Sequence, residues 1–336
     1  MRGRRCLVTG GASGIGLCDH WSRGGKVVPD MYVKAAINGG RARGEHPGVP
    51  VTPEEIADVA TRVGVLADAV HLHPRSKTGE QSIEPDDLRH VIDAVRGRQR
   101  AVPVGVTTGL WCCANDAVRR LELVEAWDVL PDFASAAYAE EGAEDVAAVL
   151  VAKGVALESA VWSTDDIPVL LRSHFLEDNI RILIEPMEED PDQAVAHARE
   201  MADRLIRAGV RCPLLFHGEG ATVWPVLRAG AQDGHQVRIG LEDGILMPDG
   251  SVAADNVELV VATRAEVARV AADRPGQSGS ARAGRRSDAP RARGVELCRA
   301  PREPVARRAL GAEGPGRSAA ARCGLLRLVP RAAPSA

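Results

Sequence analysis

The sequence contains no apolar run that could cross a membrane, because no stretch approaches the roughly 20 uninterrupted apolar residues that a spanning helix needs. The basic start, Met1 to Arg5, is followed by an apolar run that glycines interrupt at once, which is not the pattern of a secretory signal. The seven cysteines form no Cys-x-x-Cys pair, and Cys112 and Cys113 are adjacent, which suits neither a zinc ribbon nor a disulfide framework. We therefore expect a cytoplasmic protein with reduced thiols and no membrane partner.

The net charge of -4 is unevenly distributed, because residues 274–336 hold 14 arginines and only four acidic residues. A basic segment can bind nucleic acid, but this one has no aromatic residue, no lysine and no helical or strand period. Its mixture of Arg, Ala, Pro and Gly is typical of disorder, and it is also what an out-of-frame end of a GC-rich gene would encode. We predict a disordered tail over 273–336 and expect no nucleic-acid partner.

Residues 1–27 include a glycine-rich segment, Thr9–Gly16, that resembles the cofactor loop of short-chain dehydrogenases. Such glycines let the backbone approach a pyrophosphate at a helix N-terminus. The helix that should follow is replaced by a polar stretch with two glycines, Asp19–Gly25. The Tyr-x-x-x-Lys pair of that family is also missing, since alanine and glycine lie four residues after Tyr32 and Tyr138. We interpret residues 1–27 as a fragment without a function of its own, from a fusion, a misassigned start or an extra arm.

From about residue 30, short apolar β-branched runs alternate with amphipathic segments, such as Thr52–Gly64 and Ala194–Ala208. The first of these has a clear helix start, with Thr52 as N-cap and Pro53 at the first position. The predicted strands are Tyr32–Ile37, Ala69–His73, Val102–Thr107, Phe133–Ala137, Val155–Val161, Ile180–Glu185, Pro213–His217 and Gln236–Leu241. Eight strand–helix units in this length predict an α/β fold, a (β/α)8 TIM barrel over 28–272.

Polar residues cluster at the predicted C-terminal ends of the strands, and this distribution favours the barrel over an open doubly wound sheet. In a barrel these ends converge on one face, whereas in an open sheet they would lie along an edge. The residues are His71, His73, Thr107, Thr108, Ser135, Glu158, Glu185, His217, Glu242 and Asp243.

His71 and His73 end the second predicted strand, where positions i and i+2 point to the same side, so both imidazoles can share one ion. Two histidines that merely satisfy their hydrogen bonds are the alternative. Glu242 ends the last strand, which lies beside the first, so its carboxylate can complete the set. Three protein ligands leave an open position, which is typical of a catalytic divalent site. Zinc is the first candidate, and manganese, cobalt and iron are the others.

Arg238 and Asp243 form a second candidate pair in the same segment. A carboxylate beside a guanidinium stays ionised and oriented, which suits a general base. An ordinary surface salt bridge is the alternative.

Six ordered motifs between about Val28 and Ala272 resemble those of the β-keto acid cleavage enzymes. The motifs are Lys34–Arg41, His46–Glu55, His71–Arg75, Thr107–Gly109, Pro131–Ser135 and Arg238–Asp243. The resemblance implies a zinc-dependent barrel, assembled as a homotetramer, that converts a β-keto acid and acetyl-CoA into acetoacetate and a new acyl-CoA. Matched by position, His71, His73 and Glu242 would hold the metal, and Asp243 with Arg238 would deprotonate the substrate.

The resemblance also implies substrate contacts. Thr107 and Ser135 match positions whose hydroxyls line the family's site, Thr108 is a further candidate for substrate binding, and Glu158 matches an acidic position and is a further catalytic candidate. Arg41 stands where the type member, which acts on 3-keto-5-aminohexanoate, has an acidic residue that meets the substrate's amino group. We hypothesise that Arg41 turns the preference towards neutral or anionic β-keto acids, such as β-ketoadipate-like compounds.

Two other interpretations stay open. Another metal-dependent barrel enzyme, such as an aldolase, lyase or hydrolase, would not need acetyl-CoA. Its amidohydrolase version is disfavoured, because the sixth strand ends in Glu185 where a histidine is expected. The second is a non-catalytic product, for example a chimeric open reading frame whose tails prevent folding. Ala137, where relatives commonly carry a polar residue, removes one contact of the predicted site.

Overall fold

A computed structural model describes residues 31–98 and 102–273, which form eight parallel strands with helices outside them. The strands are β1 (Val33–Ala36), β2 (Ala69–Leu72), β3 (Val104–Thr107), β4 (Phe133–Ala137), β5 (Ala156–Val161), β6 (Asn179–Ile184), β7 (Leu214–Phe216) and β8 (Gln236–Ile239). The helices are α1 (Pro53–Val63), α2 (Pro85–Arg98), α3 (Ala117–Ala126), α4 (Ala143–Lys153), α5 (Ile167–Leu170), α6 (Pro191–Arg207), α7 (Val223–Asp233) and α8 (Asn256–Ala272). The predicted N-terminal fragment and the tail beyond Asp273 lie outside the described residues.

The strands close into a barrel in chain order, because β1 pairs in parallel with both β2 and β8. Lys34 lies opposite Arg238 in the β1–β8 pair, and Ala36 lies opposite His71 in the β1–β2 pair. This closure confirms the predicted (β/α)8 barrel and rules out the open sheet. None of the helices within the described ranges is long and apolar enough to cross a membrane.

The predicted start of α1 is also confirmed. The Thr52 hydroxyl accepts a hydrogen bond from the backbone N–H of Glu55 at 3.3 Å, and the Glu55 carboxylate accepts one from the N–H of Thr52 at 3.1 Å. This reciprocal capping box satisfies two donors that the helix itself leaves unpaired. The hydrophobic core lies between the outer face of the barrel and the helices, and β1, β2 and β3 are buried on both faces, as parallel strands are.

Five of the eight strands, β1, β2, β6, β7 and β8, end one or two residues earlier than the sequence predicts, so several polar residues lie in the loops just beyond them. His73 is one residue past β2, because its backbone N–H donates to the Asn38 side chain at 2.8 Å. After β8 the chain turns at Gly240, whose carbonyl accepts from the N–H of Asp243 at 3.0 Å. The turns just after β2 and β8 therefore carry His73, Glu242 and Asp243.

An ion cluster fills the barrel interior. The Lys34 ammonium lies 2.6 Å from the Glu158 carboxylate, which also pairs with Arg181, and both Lys34 and Glu158 are fully buried. Burial lowers the pKa of Lys34 to about 8. Burial alone would raise the pKa of Glu158, but Lys34 and Arg181 outweigh it and hold that pKa at about 2. Glu158 therefore stays charged and compensates two buried cations.

We expect Glu158→Gln to lower the free energy of unfolding by about 3–5 kcal/mol, because it leaves Lys34 and Arg181 buried without their counter-charge. Urea unfolding followed by circular dichroism measures this difference. Asp58→Asn is the matched control, since Asp58 pairs with Arg98 at the surface and its side chain is 66% exposed. The control should change stability by less than about 1 kcal/mol. Equal effects of the two substitutions would contradict the role of the buried cluster.

Candidate active site

The three predicted metal ligands lie together at the C-terminal face of the barrel. His71 comes from β2, His73 follows β2, and Glu242 follows β8. The Nε2 atoms of the two histidines are 3.1 Å apart, and Glu242 Oε1 lies 3.7 Å from His71 Nε2 and 3.3 Å from His73 Nε2. Each of the three residues therefore offers one ligand atom, and these three atoms lie within 4.8 Å of one another, a spacing that fits one ion.

The chemical state of these donors also fits a divalent metal. Burial holds the pKa of His71 well below its ordinary value, so the imidazole is neutral. Burial opposes the ionisation of Glu242, but the Arg238 guanidinium outweighs it and holds the carboxyl pKa well below its usual range. Neutral imidazole and ionised carboxylate are the forms that bind a metal. Glu242 Oε2 is buried and has no hydrogen-bond partner among the described residues, which further suits a ligand atom.

The loop after β1 supports two of the three ligands. The Asn38 side chain donates to the His73 carbonyl at 2.9 Å and accepts from its N–H, which fixes the backbone of His73. Gly39 has a φ of +49°, and a Cβ there would lie 2.2 Å from Glu242 Cγ. Glu242 can reach the histidines only because position 39 has no side chain.

Arg238 joins the ligand set to Asp243. Its Nη2 lies 2.8 Å from Glu242 Oε1 and 2.5 Å from Asp243 Oδ1, and its Nε lies 3.0 Å from Asp243 Oδ1. Burial raises the pKa of Asp243, although Arg238 and His217 partly oppose it. The pair is buried, so the alternative of an ordinary surface salt bridge is wrong. A carboxylate with a raised pKa, held by a guanidinium, can accept a proton.

One cavity connects the three candidate ligands and Arg238 with the predicted hydroxyls of Thr107 and Ser135. Its lining residues are His71, His73, Thr107, Gly109, Trp111, Ser135, Ala137, Glu140, Ala160, Trp162, Glu185, Arg238 and Glu242. Thr107 and Ser135 face each other in the β3–β4 register. Ala137 lines the wall without a polar group, as expected. The cavity thus contains the metal ligands, the arginine of the pair and two hydroxyls.

Four predicted residues are not among those that line the cavity. Asp243 is one of them, and it connects to the cavity through Arg238, its partner, which does line it. The Thr108 hydroxyl donates to the Ser135 carbonyl at 2.6 Å, so it supports the β4 end of the wall. Arg41 pairs with Glu45 at 3.2 Å, and its side chain is 19% exposed. Glu158 is held by Lys34 and Arg181 deeper in the barrel. The predicted roles of these residues in substrate binding and catalysis stay predictions, and the contacts described above give Thr108 and Glu158 a structural role.

Glu185 lines the cavity and His217 pairs with it, and neither was assigned a role from the sequence. Glu185 Oε1 lies 2.7 Å from His217 Nε2, and Glu185 Oε2 accepts from the Trp162 indole at 2.8 Å. His217 Nδ1 lies 3.8 Å from Asp243 Oδ1. Burial opposes ionisation of Glu185, but His217 outweighs it and the carboxyl pKa is about 2. The sequence does place both residues at predicted strand ends, which indicates the functional face of the barrel. A position at a strand end does not show which side chains pair with each other.

Comparison with known proteins identifies related sequences. A family model described as beta-keto acid cleavage enzyme matches residues 30–283. The 3-keto-5-aminohexanoate cleavage enzyme of Fusobacterium nucleatum subsp. nucleatum is 26% identical over 261 residues, which cover 70% of this chain and 90% of the relative.

Solved structures share the fold. The apo structure of ObcA has a TM-score of 0.56 at 17% identity, covering 66% of this chain and 62% of that one. The ternary complex of ObcA with a C4-CoA adduct and oxalate has a TM-score of 0.57 at 16% identity, covering 66% and 64%. The chain therefore spans less than two thirds of the length of ObcA, and at these identities the likeness concerns the barrel fold.

We expect Gly39→Ala to displace Glu242 and to destabilise the fold by about 1–3 kcal/mol, because alanine is strained at a positive φ and its Cβ overlaps the Glu242 side chain. Thermal unfolding together with a crystal structure of the variant checks both effects. Gly44→Ala is the control, since a Cβ there meets nothing within 4 Å. An unchanged Glu242 position in Gly39→Ala would show that this close approach is not required.

Proposed function

This chain belongs to the β-keto acid cleavage enzyme family, and we propose that it converts a β-keto acid and acetyl-CoA into acetoacetate and a new acyl-CoA. The observation that carries the proposal is that His71, His73 and Glu242 line one cavity together with Arg238, which in turn pairs with Asp243. The requirement for acetyl-CoA rests on the family resemblance. We also propose zinc as the metal, a cytoplasmic location and a homotetrameric assembly on the same ground.

In the proposed reaction His71, His73 and Glu242 would hold a divalent ion. When bound, such an ion supplies Lewis-acid stabilisation of enolate charge on the keto and carboxylate oxygens of the substrate. Arg238 contacts Glu242 and Asp243 at once, so it orients a ligand and the base relative to each other. His71, Arg238 and Asp243 are buried, and a low-dielectric environment strengthens their electrostatic interactions.

Asp243 is the proposed general base. It removes a proton from the carbon between the keto and carboxylate groups, and the resulting carbanion forms a bond to the thioester carbonyl of acetyl-CoA. The CoA thiolate leaves the acetyl carbon and attacks the original keto carbon. The bond between this keto carbon and the carbon that was deprotonated then breaks, which releases the acyl-CoA and the enolate of acetoacetate. Asp243 returns the proton to the enolate.

Thr107 and Ser135 are the proposed partners of the oxyanions that form in the two carbonyl additions. Both line the cavity, and hydroxyls fixed on strands need little reorganisation to donate to a developing charge. The Thr107 hydroxyl accepts from the N–H of Gly109 at 2.9 Å, which leaves its proton free to donate. Ser135 lies on β4, and Thr108 bonds its carbonyl and so steadies that strand end.

We expect the zinc-loaded protein, incubated with acetyl-CoA and a panel of β-keto acids, to form acetoacetate and the matching acyl-CoA. Mass spectrometry detects both products. His71→Ala and Asp243→Asn should lose the activity, because they remove a ligand and the base. The control is His174→Ala, because the His174 side chain is 88% exposed and pairs only with Glu144 in the described structure.

If acetyl-CoA stays intact while the protein is folded and binds metal, the acetyl-CoA reaction is wrong. The same substrate panel without acetyl-CoA then tests the alternative of aldol or hydrolytic chemistry by a metal-dependent barrel enzyme. Activity that survives in Asp243→Asn would instead contradict the assignment of the base.

Arg41 is the proposed selector of substrate charge. We expect Arg41→Glu to move the ranking of kcat/KM values from neutral or anionic towards cationic β-keto acids, because it reverses the charge of the loop after β1. The substrate panel measures this ranking, and Arg43→Glu, at a side chain that is 52% exposed, is the control for a general change of surface charge. An unchanged ranking in Arg41→Glu would show that this residue does not select the substrate.

A further inference from the structure

Gln81 and Trp111 contact the metal-ligand candidate His73 on its far side. The Gln81 oxygen Oε1 lies 2.5 Å from His73 Nδ1 and accepts a hydrogen bond from the Trp111 indole at 3.0 Å. The Trp111 ring also stacks on the His73 ring, with centroids 6.3 Å apart and planes inclined by 24°. An antiparallel bridge between Arg75 and Gln81 returns the loop after β2 to this position.

These contacts decide which nitrogen of His73 carries its proton. An indole N–H can only donate, so the Gln81 atom that faces Trp111 is the amide oxygen and not the amide nitrogen. The same oxygen faces His73 Nδ1, and an oxygen can only accept, so Nδ1 is the protonated nitrogen. In a neutral imidazole the lone pair is then on Nε2.

The freed lone pair points into the candidate metal site. His73 Nε2 lies 3.3 Å from Glu242 Oε1, and an ionised carboxylate has no proton to donate. Two acceptor atoms that face each other at this distance are stabilised by a cation. The donors on His73 and Glu242 are therefore arranged for a metal before one binds, and Gln81 and Trp111 produce that arrangement at His73.

The backbone holds Trp111 over His73. Trp111 lies in a 3-10 helix, Leu110–Cys113, that directly follows the end of β3. The N–H of Leu110 donates to Glu140 at 2.9 Å, and Ala114 ends the helix with a φ of 54°. A Cβ at Gly109 would lie 2.3 Å from Trp111 Cζ2, so glycine makes room for the ring. The indole is 44% exposed, which is unusual for tryptophan and agrees with a role at the cavity mouth.

We propose that Trp111 and Gln81 are positioning residues that fix the Nδ1-protonated form of His73 and thereby set the affinity of the site for a divalent metal. This inference rests on the metal site of the proposed function. Hydrogen-bond partners behind a ligating histidine typically change metal affinity by about 10- to 100-fold.

The test measures zinc affinity by competition with a chromophoric chelator, for the wild type and for variants of the full chain. We expect Gln81→Leu to weaken zinc binding about 10- to 100-fold, because the acceptor for Nδ1–H is lost. Trp111→Phe keeps the stacked ring but removes the donor that orients the amide, so it should also weaken binding. Gln81→Glu keeps the acceptor and should bind at least as tightly as the wild type. Gln193→Leu, at an exposed glutamine on α6, is the matched control.

Weaker binding in Gln81→Leu and Trp111→Phe, with affinity retained in Gln81→Glu and Gln193→Leu, supports the inference. Equal zinc affinity in all variants overturns it and leaves the proposed metal site intact. A wild type that binds no divalent metal overturns both. The acyl-CoA assay tests the reaction separately, so failure of the reaction and failure of the inference are distinguishable.

A second measurement does not depend on the folding of any variant. Two-bond ¹H–¹⁵N spectra of the wild type, labelled with ¹⁵N-histidine and free of metal, report the protonated nitrogen of each ring. We expect the Nδ1-protonated form for His73. An Nε2-protonated His73 would overturn the inference.

Discussion

The closure of the barrel between β1 and β8 is the constraint on which the site depends. His71 and His73 lie at the end of β2, whereas Arg238, Glu242 and Asp243 lie at the end of β8, more than 160 positions later in the chain. Only β1 separates these two strands in the closed sheet. Among the described residues, the loop after β1 provides no candidate metal ligand. Its residue Asn38 supports His73, and Gly39 makes room for Glu242.

Arg238 organises the charges that the barrel brings together. One guanidinium contacts both Glu242 and Asp243, so it holds a ligand in the ionised state and places the base beside it. The two carboxyl groups nonetheless differ, since the pKa of Glu242 is lowered and that of Asp243 is raised. Neighbouring carboxyl groups whose environments push their pKa values apart are suited to different roles. Here one is suited to bind a cation and the other to accept a proton.

The sequence predicted the elements better than their ends. The alternation of β-branched runs and amphipathic segments led to all eight strands, because burial on both faces of a parallel sheet requires continuous apolar runs. Glu242 was predicted at the end of the last strand, but it lies in a turn after Gly240. Glu242 nevertheless lies beside the two histidines, as predicted. The turn brings its carboxylate there, and Gly39 leaves room for it because glycine has no side chain.

The sequence by itself determined the (β/α)8 class, the His-x-His signal and the family resemblance, because local periodicity and short motifs carry that information. Only the tertiary structure decided which side chains meet: Glu158 with Lys34 and Arg181 in the interior, Glu185 with His217, and Gln81 with Trp111 behind His73. Each of these contacts joins residues from different strands or loops. Their distances depend on strand register, loop path and barrel closure, which no local pattern specifies.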